Sequence, residues 1–143
     1  MKPIDYAKAA GIAAVVLIVD VLVAVGVVFA WASFVAPGHP RAYYASAGLP
    51  IALLSTRIFG TALIFAACWW ATRRNPQRNA LWFAVILVVC YAVLDGASIA
   101  FQGFFVGGTV ITMLLKLAAG IAGAQIALAR ERRGTRQPRP SRP

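Results

Sequence analysis

The chain has 143 residues, 61% of them hydrophobic and 13% charged, and a formal net charge of +10. A soluble domain holds ~45–50% apolar residues, so this composition excludes one, and four long apolar runs leave no room for a globular domain beside them. Nor does the charge point to nucleic acid: eleven of the fourteen Lys and Arg flank those runs on one side, and only Arg41 falls on the other, the pattern of a positive-inside membrane protein.

In chain order, the short start MKPIDYAK leads into an apolar run over 9–36, interrupted only by Asp20 and Ser33. A signal peptide is the competing reading, with Ala30 and Ala32 as a mimic of a cleavage site. The run is about twice the ~7–15 residues of a signal core and has a charge in its middle, so it reads as a retained first span. Pro37, Gly38 and Pro40 end it, because proline removes a donor and glycine frees the backbone. Tyr43 and Tyr44 then read as interfacial aromatics in an external loop.

The second span is expected over 49–72, with Pro50 in its first helical turn and Trp69 and Trp70 at the inner interface. A tight turn, RRNPQRN, leads to a third span over 80–101, with Trp82 at the inner headgroups. An uncharged connection precedes a fourth span over 109–129, with Thr109 as its helix cap. The remainder, 131–143, is rich in Arg and Pro and reads as a disordered cytoplasmic tail. It would be drawn to anionic lipid headgroups at ~1 kcal/mol per basic residue near the surface. The fold class is therefore an all-α integral membrane protein. Residues 1–130 form an up-down bundle of four transmembrane helices, with both termini cytoplasmic and the chain in the inner (plasma) membrane.

Each span holds one buried charge: Asp20, Arg57, Asp95 and Lys116. Counted from the cytoplasmic ends at ~1.5 Å per residue, they lie ~16–22 Å deep, in one slab. An unpaired charge at a span centre costs ~2.5–3.5 kcal/mol on the insertion scale, so all four should point inward and pair. The short turn between spans two and three suggests Arg57 with Asp95, and closure of an up-down bundle suggests Asp20 with Lys116. Asp95 carries Tyr91, Ser98 and Gln102 on its own helical face, Arg57 has Thr61 at i+4, and Lys116 has Thr112 at i−4. Asp20 has only apolar residues on its face. Ala119, Gly123 and Ala127 repeat every four residues in the fourth span, a small-residue face that permits close helix approach and would serve a homo-oligomer.

Known catalytic signatures are missing from the sequence. It holds no HExxH, GxSxG, CxxC or Walker loop, and His39, the single histidine, has no acid or cysteine close to it in sequence. Cys68 and Cys90 differ in depth by ~9 Å, too far for a disulfide, and read as small filler. No cofactor, metal or catalytic residue is expected. In size and span number the chain is similar to the small multidrug resistance transporters, whose embedded acid lies in the first helix, as Asp20 does. Arg57 and Lys116 would neutralise the cation site which that likeness implies, and it stays an analogy.

The leading expectation is a non-enzymatic structural or accessory membrane protein whose partners are the bilayer and its anionic lipids. In that reading the buried charges are staples that fix helix register. The alternative is a proton-linked transporter or small-ligand binder on the same four charges, with Asp95 first and Asp20 second as the group that changes protonation. A membrane enzyme acting on lipid or quinone through Asp95 and Lys116 ranks last.

Overall fold

The computed structural model describes residues 3–75, 79–102 and 109–135. Four helices account for nearly all of them: α1 (Pro3–Phe34), α2 (Arg41–Arg74), α3 (Ala80–Gln102) and α4 (Thr109–Thr135). All four are long and apolar enough to cross a membrane. Their outward faces are apolar too: Ile18, Leu22, Phe29, Ile58, Val93 and Leu114 are all more than half exposed. Backbone groups satisfied within each helix, under a cover of large apolar side chains, make a surface that hydrocarbon can solvate.

Three helices extend well beyond the spans expected from hydropathy, α1 by starting at Pro3 rather than at residue 9. α2 starts at Arg41, so most of the anticipated loop is helical, and Pro50 sits inside the helix rather than in its first turn. Helix propensity does not stop at a hydropathy boundary, and proline is tolerated within apolar helices of this kind. At its far end α4 continues to Thr135, which makes the first five residues of the anticipated disordered tail helical. Residues 136–143 lie outside the described residues. Between α1 and α2 only a tight turn remains, with Gly38 at φ 82°, a conformation that favours glycine.

Neighbouring contacts give each helix its direction. Asp20 and Val28 of α1 lie against Gly60 and Gly48 of α2, so these two helices are antiparallel. Tyr91 and Val88 of α3 face Lys116 and Gly120 of α4, again antiparallel. Gly60 and Phe65 of α2 lie beside Lys116 and Gly123 of α4, which run parallel. Around the bundle the order is α1, α2, α4, α3: α2 packs chiefly on α4 and α1, α3 on α1 and α4, and α2 touches α3 only slightly. The expected adjacencies are thus corrected. α1 does not pack beside α4 but stands diagonal to it, and α2 and α3 form the other diagonal.

The seam between α2 and α4 explains this order. A Cβ on Gly123 would stand 2.5 Å from the carbonyl oxygen of Phe65, and one on Gly120 would stand 3.2–3.4 Å from Val88, Cys68 and Ile64. Ala124 and Ala127 are fully buried. Small residues let two backbones touch. Gly120 and Gly123 of the small-residue face of α4 therefore pack against α2 of the same chain.

Candidate functional site

At the centre of the bundle, three polar side chains from three helices form one hydrogen-bonded group. The Tyr91 hydroxyl of α3 donates to Asp20 Oδ2 of α1 at 2.7 Å. Lys116 Nζ of α4 donates to the Tyr91 oxygen at 2.7 Å and reaches Asp20 Oδ2 at 3.5 Å. Lys116 also lies 4.2 Å from the centroid of the Tyr91 ring. Asp20 is 1% exposed, and Tyr91 and Lys116 are fully buried.

The fourth helix contributes space. On α2, a Cβ at Gly60 would meet Asp20 Oδ2 at 2.6 Å and Lys116 Nζ at 2.9 Å. Glycine at this position leaves the room that the ion pair occupies. Asp20 and Lys116 meet because their helices are diagonal and each sends a side chain to the axis. Lysine has the reach to do so, with its four-carbon stem packed among apolar neighbours.

The Asp20–Lys116 pairing expected from the sequence is present. The pairing of Arg57 with Asp95 is not: Arg57 is exposed on α2, and among the described residues no ion pair joins the two. With α2 and α3 on a diagonal, short side chains near the axis can meet, but Arg57 is turned outward. Thr61 does not extend the site either, since its hydroxyl donates to the Arg57 carbonyl of its own helix. Ser98 likewise donates to Leu94. Thr112 is buried one turn before Lys116. The side chain of Gln102 lies outside the described residues.

Tyr91 was legible as a polar neighbour of Asp95, four residues earlier on the same helix. Its bond is instead to Asp20. Gly60, three residues after Arg57 on α2, is the residue on which the group closes. The available signal was its smallness at the depth of the charges.

Asp95 is half-buried, and it lines a cleft between α1 and α2 together with Asp20. The cleft has a volume of about 710 Å³ and is walled mainly by apolar side chains, including Val21, Val25, Phe29 and Leu53. One oxygen of the central group, Asp20 Oδ1, is buried without a hydrogen-bond partner. At the opposite end of the bundle, Arg73 and Arg74 lie over the rings of Trp69 and Trp70 at 4.9 and 4.5 Å. Cys68 and Cys90 form no disulfide. Among the described residues no group of three His, Cys, Asp or Glu side chains is placed to hold a metal ion.

No family model, curated protein or solved structure matches this chain.

Proposed function

We propose that this chain is a non-enzymatic protein of the inner (plasma) membrane, with a structural or accessory role and both termini cytoplasmic. The observation that carries the reading is the buried Asp20–Tyr91–Lys116 group. It draws on three helices and closes on a glycine of the fourth, so it senses the register of the whole bundle at once. Fixing register is the best-attested use of buried ionic groups, which otherwise contribute little net stability. The termini-bearing end supports the orientation: Lys8, Arg73, Arg74, Arg130, Arg132 and Arg133 gather there, as the cytoplasmic side of a bacterial-type protein requires. These residues, with the Arg-rich segment that follows, would also meet anionic headgroups.

A double-mutant cycle tests the staple. In nanodiscs, Asp20→Leu and Lys116→Leu should each lower stability by ~3–5 kcal/mol, because each leaves the other charge buried and alone. The double variant should return close to the parent. Simple addition of the two losses would refute direct pairing.

A further inference from the structure

Gln125 is the one polar side chain of α4 between Lys116 and Arg130. Unlike Lys116 it does not turn inward. It is exposed on the outside of the bundle, and among the described residues its amide has no hydrogen bond. It stands four residues inside the expected end of the span at Ala129, ~6 Å at ~1.5 Å per residue. An amide facing hydrocarbon with its donors unused is costly, so a partner at that depth has a free energy to gain.

The surroundings of Gln125 are a groove of about 570 Å³ between the start of α3 and the end of α4. Arg132 and Arg133 line it together with Gln125, Leu81 and Leu128 give it apolar walls, and Ala129 adds no bulk. Glu131, the one acid in these turns, does not line it. Arg132 follows Gln125 by seven residues, ~10 Å along the axis, and a helical side chain leans back over the turn before it. In order of depth the groove therefore presents two guanidinium groups, then a lone amide, beside apolar walls.

We infer that the α3–α4 groove is a binding site for one anionic diacyl phospholipid, its phosphodiester on Arg132 and Arg133 and an ester carbonyl on the Gln125 amide. Such a lipid carries the matching groups in the matching order: phosphate, ester, acyl chain. Guanidinium groups bind phosphate oxygens through charge-assisted bonds, and the amide N–H donates to the carbonyl at the edge of the hydrocarbon. A zwitterionic headgroup brings its own ammonium up to two arginines, and that repulsion selects a lipid with net negative charge. The inference rests on the proposal that this basic end faces the headgroups. It goes beyond general attraction to a charged surface, because Gln125 carries no charge and reads the ester.

The test is native mass spectrometry of the full chain released from mixed micelles. These hold equal amounts of ester-linked phosphatidylglycerol, its ether-linked counterpart, which lacks the carbonyl, and ester-linked phosphatidylcholine, all distinguished by mass. Ester phosphatidylglycerol should be retained about fivefold over the ether form, the value of one hydrogen bond. Its retention over phosphatidylcholine should be about tenfold, the value of a charge-assisted contact. Gln125→Leu keeps every charge and should bring the ester-to-ether ratio to one while phosphatidylglycerol stays preferred. Arg132→Gln with Arg133→Gln should erase the preference over phosphatidylcholine. Equal retention of ester and ether forms, an ester preference that survives Gln125→Leu, or an undiminished phosphatidylglycerol preference in the double arginine variant would each overturn this site and leave the orientation of the bundle standing. No preference for phosphatidylglycerol in the parent chain would overturn both. Thermal unfolding of each variant confirms that a changed ratio comes from a folded bundle.

Discussion

The two faces of α2 meet their neighbours in opposite ways. Toward α4 the helices touch backbone to backbone, with Gly123 against the Phe65 carbonyl and Gly120 against Ile64 and Cys68. Toward α1, in the half nearest the connecting turn, they part around a cleft of about 710 Å³. Both interfaces are apolar, so hydrophobicity does not separate them. Side-chain size does. Small residues in α4 let carbon and oxygen come into contact along the seam, while on the α1 side Val21, Val25 and Phe29 line the wall of the cleft. Dispersion decides packing among helices in an apolar solvent, and it needs contact on both sides of every atom.

Substitutions can break that contrast at either face. Among substitutions that leave the buried charges in place, the largest effect is expected at the seam: Gly123→Val puts a branched side chain into the Phe65 carbonyl, a backbone atom that cannot swing aside. A loss of about 3 kcal/mol, at the top of the range for overpacking, should appear in reversible unfolding in nanodiscs. Next comes the central group, where Tyr91→Phe removes a hydroxyl bonded on both sides. Asp20 and Lys116 then lack a bridge while remaining buried, and a loss of ~1–3 kcal/mol follows. A cleft substitution should be milder: Ala52→Leu has open volume before it and should change stability by less than ~0.5 kcal/mol. Equal losses for Ala52→Leu and Gly123→Val would erase the distinction between the two faces. The smallest effect belongs to Arg57→Leu, which removes a charge with no ion pair among the described residues and should also stay within ~0.5 kcal/mol. A large loss there would reveal a partner for Arg57.

Helix number and approximate position were legible because hydropathy over some twenty residues is a strong signal. The meeting of Asp20 with Lys116 was expected from one slab of depth and from α1 standing beside α4; the pair forms, but across the diagonal of the bundle. The order of helices around the bundle was not legible. A short turn such as the one after Arg74 makes its two helices antiparallel and joins their ends, but it does not make them pack along their length. Packing was decided by Gly120 and Gly123, and the repeat of Ala119, Gly123 and Ala127 announced a close contact without naming its partner. Tyr91 and Asp95, one helical turn apart, look like members of one polar face. Only the rotation of α3 shows that the phenol reaches the axis and the carboxylate reaches the cleft. Gly60 carried the weakest signal of all, because a glycine that makes room for an ion pair reads like any other small residue.

The partner of Asp20 lies 96 residues further along the chain, on α4. At about 5–20 residues per second, the acid in α1 would wait on the order of 5–20 s during synthesis before Lys116 could reach it. Tyr91 arrives earlier and offers a hydroxyl donor in the interval, but no counter-charge. Until α4 emerges, the nascent protein carries in α1 an acid without its counter-charge. The arrival of α4 supplies the counter-charge, so the fourth helix certifies the acid of α1.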